Sequence, residues 1–148
     1  MSTVFSLIIG GAIPGLFAWA DDVCVAFATI EPITPGHMLV VPRDEIEQFT
    51  DADDDVLAHL AVVAKRVGRA QRKAFDAPRA AVIVAGFEVP HMHIHVLPAW
   101  NEAALTFANA RSARPEELER TTEMVRGALR DLGFAANVPA GIGSPELG

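Results

Sequence analysis

The alternation of apolar and polar positions divides the first third of the chain into short elements. Residues 4–9 (VFSLII) indicate a short helical turn that ends at a pair of glycines. The segments LFAWA (16–20) and VCVAFAT (23–29) flank two aspartates and predict a hairpin of two strands. An apolar run, MLVV (38–41), then predicts a buried strand that ends at a proline.

Two longer segments carry a helical pattern. Apolar residues recur at steps of three and four over residues 53–75, with acidic residues near the start and basic residues near the end. We expect Thr50 or Asp51 to cap this helix. A second helix is predicted over residues 115–132, where a proline suits the first turn and a glycine follows the end.

The order of the elements favours an α+β fold. AAVIVA (80–85) and HMHIHVL (91–97) predict two further strands between the two helices. Because strands and helices do not alternate regularly, the sheet is expected to be mainly antiparallel. The length predicts one domain over residues 1–134, and the Pro- and Gly-rich residues 135–148 are expected to form a loosely ordered tail.

Composition narrows the classes of partner. Apolar residues make up 51% of the chain and charged residues 21%, which is typical of a globular domain. A net charge of −7 gives no field that would attract nucleic acid or an anionic membrane surface. Glycines and a proline interrupt the apolar N-terminal run, so we expect no transmembrane span. Cys24 has no cysteine partner in the chain, which favours a reducing, cytoplasmic location.

Three of the five histidines lie at alternate positions in the segment HMHIHVL. On a strand, His91, His93 and His95 would share one face, and the apolar residues between them would share the other. The outer two would be about 13 Å apart at their backbones, so three ligands to one metal ion would require a bend. Two histidines could still hold zinc, and imidazole could instead act as a nucleophile or a proton donor. The residues alone leave both alternatives open.

The segment HMHIHVL fits the His-x-His-x-His pattern of the histidine triad family of nucleotide hydrolases and transferases. The upstream stretches VFSLIIGGAIPGLFAWADDVCVAF and PITPGHMLVVPR resemble the N-terminal half of that family in the same order, so the resemblance covers residues 4–98. It implies an α+β fold with a five-stranded antiparallel sheet and a homodimer. It also implies cleavage at the α-phosphorus of a purine nucleotide or nucleotide conjugate through a covalent nucleotidyl-histidine, without metal or cofactor.

The resemblance assigns roles residue by residue. His93 takes the place of the nucleophile, His91 and His95 take the flanking places, and His37 takes that of a fourth histidine near the phosphate. Thr29 stands where relatives commonly carry an aspartate that binds the ribose. An apolar slot for the base and sugar is expected from Val4, Phe5, Ile8, Phe27 and Ile30.

Two departures from the family keep other functions in view. Besides Thr29, the chain has Phe87 and Glu88 where relatives often place a glutamine or serine that assists the leaving group. A nucleotide-binding module without efficient catalysis is therefore an alternative to the enzyme. A metalloprotein that uses two of the triad histidines is the third alternative.

Overall fold

A five-stranded antiparallel sheet carries the candidate site on one face and packs against helices on the other. The computed structural model describes residues 2–148. The strands are β1 (Phe17–Ala20), β2 (Cys24–Ala28), β3 (Met38–Pro42), β4 (Arg79–Ile83) and β5 (Ile94–Ala99). The helices are α1 (Val4–Ile9), α2 (Asp54–Phe75) and α3 (Pro115–Asp131). Within residues 2–148, no helix combines the length and the apolar composition needed to cross a bilayer.

The strand order is β1-β2-β3-β5-β4, and every neighbouring pair is antiparallel. The β3–β5 pair joins the N-terminal hairpin to the later strands and places Leu39 opposite His95. Strands β1 and β4 form the two edges. The predicted α+β class with a five-stranded antiparallel sheet is confirmed.

The two faces of the sheet have different cores. On one face, α2 and α3 bury alternate strand residues that include Ala26, Val40, Ile94 and Val96. The other face carries a smaller cluster under α1, formed by Phe5, Phe17, Ala20, Val25, Phe27, Leu39 and Val41. Burial of the apolar residues on the helix face leaves His95 on the face of the smaller cluster, as strand alternation requires.

Two predicted boundaries need correction. The cap of α2 is Asp53, not Thr50 or Asp51, and its side chain makes no capping hydrogen bond. The reason is that Phe49–Asp51 forms a separate 3-10 turn before the helix begins.

The strand that contains the histidines begins later than predicted. Pairing between β3 and β5 starts at Val40 and Ile94, so His91 and His93 lie in the segment just before β5. There the chain turns away from the ladder, since the N–H of Met92 bonds to the carbonyl of Ile46 instead. The histidines therefore do not lie on one straight strand.

The segment 135–148, expected to be a loosely ordered tail, packs against the domain in its first half. The buried guanidinium of Arg126 donates to the carbonyls of Phe17 at 2.7 Å and Pro139 at 2.8 Å. The N–H of Phe17 in turn donates to the carbonyl of Ile142 at 2.7 Å. These bonds occupy the N–H and the carbonyl of Phe17 at the start of β1 and attach this part of the chain to the sheet.

Candidate active site

Three imidazole rings form a row on the face of the sheet that carries α1. His93 and His95 lie 4.8 Å apart between ring centroids, and His95 and His37 lie 5.1 Å apart. His37 directly precedes β3 and His95 lies in β5, so the pairing of these strands brings the rings together. The structure thus unites three of the four predicted histidines in one row.

The hydrogen-bond partner of His93 determines its tautomer. The Nδ1 atom lies 2.8 Å from the backbone carbonyl of His91. A carbonyl only accepts, so Nδ1 carries the proton and Nε2 keeps its lone pair. Burial lowers the pKa of His93 below its ordinary value, which keeps the ring neutral at neutral pH. A neutral imidazole with an unprotonated Nε2 is a competent nucleophile.

His37 and His95 form a directed chain of hydrogen bonds. The N–H of Ile33 donates to Nδ1 of His37 at 3.0 Å, so the proton of His37 is on Nε2. This Nε2–H donates to Nδ1 of His95 at 2.9 Å, and the proton of His95 is consequently on its own Nε2. Burial lowers the pKa of His37 to about 3 and that of His95 to about 4, so both rings are neutral. The chain of bonds makes His95 a hydrogen-bond donor toward the site.

His91 has a different position from the one predicted for it. Its side chain is fully buried, and its Nε2–H donates to the carbonyl of Pro42 at 2.7 Å. Its Nδ1 accepts from the hydroxyl of Thr3 at 2.7 Å. Because both ring nitrogens have protein partners, His91 does not bond to a phosphate oxygen in this geometry. Its contribution is its carbonyl, which orients the ring of His93.

Several residues that support the site were not singled out from the sequence. Thr3 is one, and its hydroxyl also accepts the N–H of Ser6 as the cap of α1. Gln71 is another, because its amide donates to the carbonyls of Gly36 at 2.9 Å and Val96 at 2.8 Å. These two bonds link the turn before His37 to strand β5. A polar residue on the buried side of a helix was the signal that could have identified Gln71.

Gly36 has a geometric reason to be glycine. Its φ is +86°, and a Cβ at this position would lie 2.3 Å from Cε2 of Phe75. The turn therefore needs both the left-handed backbone and the missing side chain. Gly36 and Gln71 together hold the turn that leads into His37.

The predicted apolar slot begins beside the row of histidines. Phe5 packs edge-on against His93, with 4.8 Å between ring centroids, and Phe27 packs beneath Phe5 at 5.5 Å. Phe27 is 2% exposed and so forms the floor of this region. Of the other expected slot residues, Val4 and Ile30 are exposed and Ile8 is half-buried.

The two positions that depart from the expected pattern are accessible. The hydroxyl oxygen of Thr29 accepts the N–H of Glu31 at 3.2 Å, which leaves its own proton available to a ligand. Phe87 is 98% exposed and Glu88 is also exposed, so neither side chain is part of the core before His91.

The segment between β5 and α3 supplies one more wall. Phe107 packs against His95 with 4.8 Å between ring centroids. Backbone bonds tie this segment to the loop before His37: the N–H of Arg111 donates to Pro32, and that of Ala113 donates to Ile30. No sequence pattern predicted this contact.

Comparison with known proteins gives a consistent result. The model of the HIT domain family matches residues 11–102. An uncharacterized HIT-like protein of Mycobacterium tuberculosis is 34% identical over 142 residues, which cover 92% of this chain and 99% of that protein.

Two solved structures are also similar to this chain. A zinc-bound histidine triad family protein from Mycobacterium smegmatis has a TM-score of 0.78 at 30% identity, over 91% of this chain and 98% of that one. A hypothetical histidine triad nucleotide-binding protein from Sulfolobus tokodaii has a TM-score of 0.77 at 28% identity, over 86% of this chain and 92% of that one.

Proposed function

This chain belongs to the HIT domain family, and on that premise we propose that it is a nucleotide hydrolase or nucleotidyl transferase. It cleaves at the α-phosphorus of a nucleotide through a covalent nucleotidyl-histidine intermediate. The observation that carries this proposal is the tautomer of His93, whose Nδ1–H is held by the carbonyl of His91 at 2.8 Å. That bond directs the lone pair of Nε2 away from the backbone.

In the first step, Nε2 of His93 attacks the α-phosphorus and the bond from phosphorus to the leaving group breaks. The Nε2–H of His95 donates a hydrogen bond to the departing amine, phosphate or nucleotide, which takes its proton from the surrounding water. The ring of His93 becomes positively charged as the new P–N bond forms. The carbonyl of His91 stabilises this charge because it already accepts the proton on Nδ1.

In the second step, water attacks the phosphorus and the P–N bond breaks. The proton of this water passes to solvent, and the Nε2–H of His95 keeps its hydrogen bond to the reacting phosphate group. His37 supports both steps, since its Nε2–H holds Nδ1 of His95 as an acceptor at 2.9 Å. A nucleoside monophosphate and an unchanged enzyme result.

The substrate proposed is a purine nucleotide or a nucleotide conjugate. The apolar residues of α1 and the floor formed by Phe27 suit a flat base beside the histidine row. The free hydroxyl proton of Thr29 suits a hydrogen bond to a ribose oxygen. The name of the Sulfolobus tokodaii protein, a histidine triad nucleotide-binding protein, supports a ligand of this class.

The proposed assembly is a homodimer in a reducing compartment such as the cytoplasm, where the lone cysteine would persist as a thiol. Edge strand β4 exposes 58% of Val82, and α2 exposes 41% of Val62. A groove of about 450 Å³ runs between α2 and the strands β4 and β5. An exposed apolar edge of this kind is stabilised when a second copy covers it.

Light scattering should report twice the chain mass for the wild type and a reduced mass for Val82→Glu. A monomeric wild type would contradict this assembly.

The enzyme proposal is tested with an adenosine phosphoramidate in excess chelator. We expect turnover by the wild type and a loss of at least about 1,000-fold in kcat for His93→Ala. His93→Gly is the companion variant, because added imidazole can enter the space of the lost ring and restore part of the rate. Thermal melting of both variants separates loss of chemistry from loss of fold.

The other outcomes distinguish the alternatives. Full turnover by His93→Ala would refute the nucleophile. Turnover that ends when chelator is added would favour the metalloprotein. Tight nucleotide binding with no turnover would favour a binding module. The departures at Thr29 and Glu88 would then be the first candidates for the cause of the lost activity.

A further inference from the structure

A second cluster of reactive side chains lies on the opposite face of the sheet. Asp21 belongs to the turn between β1 and β2, Cys24 begins β2, and His59 lies on α2. Each offers one donor atom, and the three atoms lie within 4.8 Å of one another. Cys24 is buried in the core between the sheet and the helices, whereas the histidine row lies with α1. The cluster is therefore separate from the candidate active site.

We propose that Asp21, Cys24 and His59 form a binding site for a divalent zinc ion. The site would join the β1–β2 turn to α2, with three protein ligands and one water molecule around the ion. It is independent of the proposed enzyme chemistry, because none of its ligands takes part in those steps.

The distances fit a tetrahedral ion after a small adjustment. Zinc bonds of about 2.0–2.3 Å place neighbouring donor atoms roughly 3.3–3.7 Å apart. Sγ of Cys24 lies 3.7 Å from Oδ2 of Asp21, which is already in this range. The Nε2–H of His59 donates to the same oxygen at 2.7 Å. Loss of that proton to the other ring nitrogen would let the pair separate by about 0.6 Å and face the ion.

The carboxylate of Asp21 is held in place by the surrounding chain. The indole N–H of Trp19 donates to Oδ2 at 2.8 Å. The backbone N–H groups of Val23 and Cys24 both donate to Oδ1, each at 2.8 Å. Hydrogen bonds to a ligating carboxylate are the usual second layer of a metal site.

The kinds of donor atom select the ion. A thiolate, an imidazole and a carboxylate form a mixed S, N and O set, which favours zinc over magnesium or calcium. Binding releases the thiol proton of Cys24 to solvent. The side chain of His59 is 39% exposed and gives the ion a path from solvent.

Cobalt titration of chelator-treated full-length protein tests the site. We expect one cobalt ion per chain, with a sulfur-to-cobalt charge-transfer band and the visible bands of a tetrahedral site, both abolished by added zinc. The fluorescence of Trp19 should fall at the same stoichiometry, because its indole N–H contacts Asp21. Zinc should also raise the melting temperature of the wild type.

Two variants test whether the metal binds to the proposed ligands. Cys24→Ser should lose the charge-transfer band, and His59→Gln should weaken cobalt binding by at least about 10-fold. His59→Gln changes a partly exposed side chain, so it remains informative even if Cys24→Ser fails to fold. His93→Ala serves as the control and should bind cobalt as the wild type does, because that residue belongs to the other face.

Two results would overturn the proposal. One is the absence of stoichiometric cobalt binding with a sulfur ligand in the wild type. The other is binding that survives in His59→Gln but disappears in His93→Ala, which would place the metal at the histidine row.

Discussion

Replacement of Thr3 by valine removes one hydroxyl that serves two partners. The oxygen accepts the N–H of Ser6 as the cap of α1, and the proton is donated to Nδ1 of His91 at 2.7 Å. Valine keeps the shape of the side chain but offers neither bond. The substitution therefore leaves a ring nitrogen without a partner in a fully buried imidazole.

The size of the effect follows from these two losses. An unsatisfied buried acceptor costs about 1–3 kcal/mol. A lost N-cap costs about 1 kcal/mol. We therefore expect Thr3→Val to lower the free energy of unfolding by about 2–4 kcal/mol, and Thr3→Ser to lie close to the wild type because serine can make both bonds.

Urea unfolding of the two variants measures this difference. Thr106→Val is the matched control, because Thr106 caps the 3-10 turn Phe107–Asn109 through the N–H of Ala108 at 3.3 Å, in an exposed position. Its loss should cost no more than about 1 kcal/mol. If Thr3→Val and Thr106→Val were equally stable, the bond to His91 would contribute nothing, and the tautomer assigned to that ring would be wrong.

Two further predictions concern the support of His37. Gly36→Ala should destabilise the fold by about 2–4 kcal/mol, because it adds both backbone strain and a collision with Phe75. Gly11→Ala is the control, because Gly11 has a φ of +89° and open space around it, so this variant should show the strain alone. Equal losses of unfolding free energy in urea would mean that the collision contributes nothing. The unfolding free energy should also fall as the pH drops from about 6.5 toward 4, since the unfolded chain then protonates His37 and His95 while the fold keeps both neutral. Each group contributes up to about 1.4 kcal/mol per pH unit. In His37→Gln, the unfolding free energy measured in urea should fall less steeply with pH than in the wild type. An unchanged slope would contradict the low pKa of His37.

Sequence reasoning succeeded where local pattern decides structure. Periodicity over residues 53–75 and 115–132 predicted α2 and α3 within about a residue, because each helix has an apolar side that repeats along the chain. Alternation around His95 placed it opposite the helix face, as observed. The five strands were found because apolar runs and turn residues bound them.

The details of the site depend on contacts between distant positions, which no local pattern contains. His91 lies at the same spacing as His95, yet its ring is engaged by Thr3, 88 residues away in sequence, and by the carbonyl of Pro42. Phe107 reaches His95 through an irregular segment without periodicity. The residues Asp21 and His59 were similarly too far apart in sequence for their contact to be predicted.

The central claim is a covalent bond to Nε2 of His93, and rapid acid-free quenching followed by mass spectrometry of the peptides tests it most directly. Wild-type protein mixed with an adenosine phosphoramidate in excess chelator should carry one adenylyl group per active chain on the peptide that contains residues 91–95. Fragmentation should assign it to His93, and His93→Ala should carry none. Two results would contradict the nucleophilic role of His93. One is an adduct on another residue. The other is turnover by the wild type with no adduct, when the same method detects a synthetic adenylyl-histidine standard.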